Sequence, residues 1–266
     1  MTMPAVDHLA YDENDSLVAL AKQVYTHGAL RNAFYRLWMS EQLDLQGLAA
    51  VYVNYGTFVR RFPEVLAVMI LHTDDVHARA EYAKTLFSEM GYGQVRSAHS
   101  VLFDSFFNSL GRQMGAEGEF MYEKLVKTTP VLAETLALVE GEKRLYSMDR
   151  ATAAGAQLAL EWQAYTMLSQ LYEGARNYMH LWPDSDSFHE AAEYYYAHIG
   201  EAEKEHKIES LNGAKVFDVT PEARTNIERG FYTHLSLFEK FWAALADAVK
   251  GHVVRANDEP LAKSAS

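Results

Sequence analysis

The stretch from Phe188 to Ser210, FHEAAEYYYAHIGEAEKEHKIES, holds no proline and one glycine, and it reads as one continuous helix. Its middle carries His198, Glu201, Glu203, Glu205 and His206. Imidazoles mixed with carboxylates are the donor set of iron, manganese or zinc rather than of calcium or magnesium. Glu203 and His206 form a Glu-x-x-His pair, which sets an oxygen and a nitrogen one turn apart on one side of a helix. On a regular helix His198 and His206 are separated by about 80°, so both can address one interior point. Taken by itself, the E-A-E-K-E run is also what a solvated acidic helix face looks like. The rest of the chain has to decide.

Working outward, the helical pattern holds nearly everywhere. Thr220-Pro221-Glu222 is a cap followed by a first-turn proline, and it opens a last helix that reaches about His252. Upstream, a long helix is expected from about Asp149 to Met179, with a turn at Trp182-Pro183-Asp184-Ser185. Asp15 and Ser16 offer a cap for a first helix ended by Gly28, and a short helix lies within LRNAFYRLWMSEQL. Asp44 can cap LQGLAAVYVNYGTFVRRF, which Pro63 is expected to kink or restart. Asp74 and Asp75 open VHARAEYAKTLFSEM at the favourable end of its dipole. Gly91-Tyr92-Gly93 breaks that helix before QVRSAHSVLFDSFFNSLG, and PVLAETLALVEGEKRLYS follows. No alternating strand pattern and no fixed-period repeat occurs. An all-α helical bundle is expected, as one domain over residues 15–252, with a leader at 1–14 and a disordered tail at 253–266.

Composition narrows the chemistry. The 266 residues are 49% hydrophobic, enough for a sizeable single core. Cysteine is absent, which excludes disulfides, thiolate metal sites, iron–sulfur clusters and a cysteine nucleophile. A formal charge of −12 disfavours nucleic acid and anionic membrane surfaces as partners. No run of eighteen apolar residues occurs and the acidic N-terminus lacks a signal-peptide core, so a cytoplasmic protein is expected. Thirty-three aromatics suggest a core shaped around more than aliphatic packing.

An acid inside a helical bundle is costly unless a cation or a partner meets it. Glu161 sits in AAGAQLALEWQAYTML, an apolar run, and is the first candidate beyond the opening stretch. Glu89 and His99 flank the Gly-Tyr-Gly break, where the chain can bend and aim both side chains the same way. Glu64 follows Pro63 in an otherwise apolar helix and is a further candidate. The aromatics at 103, 106, 107 and 194 to 196 suit pocket walls, and Arg60, Arg61 or Arg176 could grip a substrate carboxylate.

The segment RRFPEVLAVMILHTDDVHARAEYAKTLFSEMGYGQVRSAHSVLFDSFFNSLG, with LALEWQA and YYYAHIGEAEKEH, resembles the haem-oxygenase-like proteins, and among them the non-haem diiron oxidases and oxygenases. The likeness spans roughly residues 30 to 250. It implies about seven core helices, two Fe(II) ions per chain, and O2 as co-substrate. Carried over position by position, the implied catalytic and metal-binding set is Glu89, His99, Glu161, His198, Glu203 and His206. Glu64 would be an added carboxylate, as in some N-oxygenases of the family. One departure stands out: the family places its acid four residues and its second histidine seven after the first histidine. Here Ala202 is fourth and His206 eighth, as if one residue were inserted. A π-bulge could absorb that and leave Glu203 as the ligand; on a regular helix Glu201 or Glu205 lies closer to the face of His198.

The resemblance implies an O2-dependent oxidoreductase, its two irons each giving one electron, that acts on a small amine- or amino-acid-derived substrate. N-oxygenation is favoured by the Glu89–His99 spacing, with desaturation or carbon–carbon cleavage of an amino acid as the alternative. An external electron donor and a homodimer are compatible with this reading. A metal-free oxidase or hydrolase of the same fold would leave the buried acids unexplained, and the thiaminase type also needs a cysteine. A ferritin-like iron store needs two Glu-x-x-His motifs, and one is present.

Overall fold

The computed structural model describes residues 11–12, 14–195 and 201–254, with side chains described outside 201–205. The expected leader and tail, 1–14 and 253–266, lie largely outside the described residues. Three long helices form the frame: α3 (Leu45–His72), α8 (Arg150–Ala175) and the C-terminal α11 (Pro221–Val249). Around them stand α1 (Ser16–Ala21), α2 (Ala33–Ser40), α4 (Val76–Glu89), α5 (His99–Gln113), α6 (Tyr122–Leu125), α7 (Ala133–Tyr146), α9 (Ser185–Ala191) and α10 (Glu201–Phe217). Among the described residues the only β-type pairing is an isolated bridge between Leu43 and Val253.

Local chemistry sets the starts. Asp15, Asp44, Asp75, Asp149, Asp184 and Thr220 each accept a backbone N–H of the first turn of their helix, satisfying donors that have no partner within the helix. Pro221 occupies the position after its cap, where a missing N–H costs nothing.

Helix α8 is the central post. Every residue from Ala151 to Ala164 is buried, so it has no solvent face over that span. It packs on α11 and α10, with α7 and α2 also against it. Gly155 and Gly230 make the α8–α11 crossing unusually close. A Cβ on Gly155 would run into the carbonyl of Ile227, and one on Gly230 into the carbonyl of Thr152. The aromatic core fills the remaining space: Trp38, Phe34, Tyr35 and Trp242 stack beside α8, and Trp38 Nε1 donates to the Leu171 carbonyl at 2.8 Å.

Two expectations are corrected. Helix α3 runs through Pro63 as one element, so the proline does not restart it. Val59, Phe62, Val65, Leu66 and Met69 on both sides of the proline are buried, and at about 1.5–3 kcal/mol per large side chain that burial offsets the missing hydrogen bond. The opening stretch is not one helix: α9 ends at Ala191, and Ala192 leaves helical geometry at φ −89°, ψ 17°. Phe188 before that turn and Tyr194 and Tyr195 after it are all buried.

Candidate metal centre

Glu89 is the last residue of α4 and His99 the first of α5. The chain between them folds back on itself through a left-handed run, with φ of 65° at Gly91, 54° at Tyr92 and 80° at Gly93. Glycine is required at position 91 twice over: for that φ, and because a Cβ there would collide with the backbone of Ser97 and Ala98. The reversal brings His99 Nδ1 to 2.8 Å from Glu89 Oε2, with both side chains largely buried.

Glu161 reaches the same cleft from α8. It is 5% exposed, and its Oε2 stands 3.7 Å from His206 Nδ1 on α10. Glu89, Glu161 and His206 line one cleft with Tyr55, Phe58, Val59, Phe62, Thr85, Leu160, Ala164, Met167, Leu168 and Tyr194. Donors from α4, α8 and α10 therefore share one interior space, and His99 adjoins it through Glu89. The tyrosine walls are joined, Tyr55 OH lying 3.3 Å from Tyr194 OH.

Burial pushes the Glu161 carboxyl up to about 8, with the negative charges of Glu89 and Glu209 adding to the effect. Glu209 lies one turn after His206 on α10 and was not singled out from sequence. Its place is legible in retrospect, because a residue three after His206 shares that helix face. Acids gathered in low dielectric repel one another, and a cation relieves that repulsion. Two acids and two imidazoles, all largely buried, are a donor set that fits iron. Among the described residues no three of these groups close into a ready coordination sphere, although Glu89 meets His99 and Glu161 faces His206. His198 and the side chains of Glu201, Glu203 and Glu205 lie outside the described residues.

Glu64 does not join this group. Its half-exposed carboxylate accepts from Lys143 Nζ at 2.7 Å and Arg61 Nε at 2.9 Å. The three candidate arginines are likewise engaged elsewhere. Arg60 pairs with Asp104 and lies 3.4 Å from the centre of the Tyr122 ring, Arg61 holds Glu64, and Arg176 holds Glu173. Of the expected aromatic walls, Tyr194 lines the cleft and Phe103 packs behind it, while Phe106 stands a layer further off, against Phe107, Tyr195, Trp182 and Phe188. Tyr196 lies outside the described residues.

A second polar cluster is completely enclosed. His234 of α11 and Glu142 of α7 are 0% exposed, with Nδ1 and Oε2 3.0 Å apart. Gln163 Nε2 stands 2.7 Å from His234 Nε2, so a ring protonated on Nδ1 donates to Glu142 and accepts from Gln163. The sequence gives no sign of this burial, since Glu140, Lys143 and Arg144 flank Glu142.

A family model described as "Iron-containing redox enzyme" matches residues 49–239. The 4-chloro-allylglycine synthase of Streptantibioticus cattleyicolor is 24% identical over 234 residues, covering 88% of this chain and 83% of that protein. A CADD-like protein of unknown function from Nostoc punctiforme superposes with a TM-score of 0.69 at 16% identity, covering 88% of this chain and 98% of that one. A domain from Shewanella denitrificans with a heme oxygenase-like fold gives 0.63 at 15% identity, over 88% and 92% of the two chains. A TenA homologue from Pseudomonas syringae gives 0.61 at 14% identity, over 85% and 90%. The fold is haem-oxygenase-like, and with most of its length matched the chain belongs to the iron-containing redox enzyme family.

Proposed function

We infer that this protein is a non-haem diiron, O2-dependent oxidoreductase that oxidises a small amino acid or amine. The observation that carries the reading is the convergence of Glu89, Glu161 and His206, from three helices, on one largely apolar cleft. Glu89, His99, Glu161 and His206 would hold iron, with His198 and one of Glu201, Glu203 and Glu205 completing the set. When bound, ferrous iron supplies the electrons that reduce dioxygen.

The chain's own residues supply the rest. Glu89 orients His99, and the Gly91 reversal fixes that pair against rotation. Phe58, Val59, Phe62, Leu160, Met167 and Leu168 exclude water from the space beside the acids. N-oxygenation of an amine is the favoured reaction, on the likeness of the Glu89–His99 spacing to that of the N-oxygenases. The 4-chloro-allylglycine synthase relative supports an amino-acid substrate, and chemistry on its carbon chain is the second reading.

Anaerobic loading with ferrous iron followed by oxygen tests the proposal. Close to two irons per chain, a visible absorption change on oxygen exposure and uptake of oxygen are expected. Protein that retains no iron after desalting would refute it. Product mass separates the two readings: one added oxygen for N-oxygenation, loss of two hydrogens or a shortened chain for the other.

A further inference from the structure

Behind Glu161, on the side away from His206, lies a hydrogen-bonded chain. Gln157, one turn earlier on α8, donates from Nε2 to Glu161 Oε1 at 2.6 Å. Tyr146, the last residue of α7, donates its hydroxyl to Gln157 Oε1 at 2.8 Å. All three are buried, at 5%, 2% and 0% exposure for Glu161, Gln157 and Tyr146. The two bonds define which way the amide faces. Against the ionised carboxylate that a bound cation requires, a reversed amide would point its carbonyl oxygen at a carboxylate oxygen in a medium that screens poorly. The Tyr146 hydroxyl proton, placed on the carbonyl, keeps the amide hydrogens directed at Glu161.

We propose that Gln157 and Tyr146 are positioning residues that hold Glu161 by one oxygen and leave the other directed into the cleft for iron. The geometry agrees: Oε1 is taken by Gln157, while Oε2 is the oxygen that faces His206. This inference rests on the metal-centre reading above. Groups that orient a metal-binding carboxylate typically alter metal affinity 10- to 100-fold when removed.

The test measures ferrous iron affinity, under anaerobic conditions and by competition with a chromophoric chelator. It compares the full-length wild type with Tyr146→Phe, Gln157→Leu and the double variant. Each single change is expected to weaken uptake of at least one iron about 10-fold or more. The double variant is expected to match Gln157→Leu, because Tyr146 acts only through the amide. Thermal midpoints with and without iron supply the second readout. A merely structural role lowers both midpoints together, whereas loss of positioning shrinks the rise that iron produces. Tyr146→Phe deletes a single oxygen, so it decides the matter even if Gln157→Leu fails to fold. Wild-type iron affinity in Tyr146→Phe, or strictly additive losses in the double variant, would overturn the proposal while leaving the metal centre standing. A wild type that takes up no iron would remove both.

Discussion

Glu89 and His99 are ten positions apart in sequence and 2.8 Å apart in space, one closing α4 and the other opening α5. The loop between them acts as a clamp whose tightest point is Gly91. Gly91→Ala places a methyl group against the Ser97–Ala98 backbone and imposes an unfavourable φ. A loss of about 1–3 kcal/mol in unfolding free energy is expected, read by urea denaturation, together with weaker iron retention because the pair is forced apart.

Glu161→Ala should abolish iron uptake and leave the bundle folded. The side chain stands among apolar neighbours that remain packed, and α8 keeps its burial against α10 and α11. Metal analysis by emission spectroscopy beside far-ultraviolet circular dichroism checks both halves. Two irons retained in this variant would show that the acid lies outside the ligand set.

A different result is expected from His234→Phe. Phenylalanine fills the space but leaves the buried Glu142 carboxylate without its partner. Leaving a buried acceptor without its donor costs about 1–3 kcal/mol, so the denaturation midpoint should fall. Iron stoichiometry in the folded fraction should stay at the wild-type value, since this cluster does not line the cleft.

Asp149 caps α8, accepting from the Thr152 amide at 3.0 Å and its hydroxyl at 2.7 Å. Partial burial works against its ionisation, but the Thr152 bonds and Arg229 outweigh it and hold the carboxyl below its ordinary 3.8. A folded-state value below the unfolded one gives stability that is present above the ordinary value and is lost as pH falls through the lowered one. Asp149→Ala is therefore expected to cost about 1 kcal/mol at neutral pH. The gap between variant and wild type should narrow as pH drops below 3.8. Thermal melts across that range supply the check.

Much of the frame was legible in the chain. The caps at Asp15, Asp44, Asp75, Asp149 and Thr220, the proline after Thr220 and the break at Gly91-Tyr92-Gly93 are local signals, and each appears where the residues indicate. Glu161 stood out because a lone acid in an apolar helix is rare. What escaped depends on partners distant in sequence. Glu64 looked isolated until Lys143, 79 positions away, came to meet it. Glu142 has charged neighbours in sequence, and its partner His234 lies 92 positions away. Gln157 gave no signal of its own, because an uncharged amide in a helix becomes meaningful only once Tyr146 stands behind it. The turn at Ala192 was hidden because alanine is a good helix former and neither proline nor glycine marks the position.

The crossing of α8 and α11 also constrains how this enzyme can diversify. With Gly155 lodged on the Ile227 carbonyl and Gly230 on that of Thr152, neither position accepts even a methyl group without prising two backbones apart. The wall carrying Glu161 is thereby held by a seam with no room for a side chain at either glycine. A change in the molecule admitted is expected to come from other lining positions, such as Val59 on α3 and Thr85 on α4.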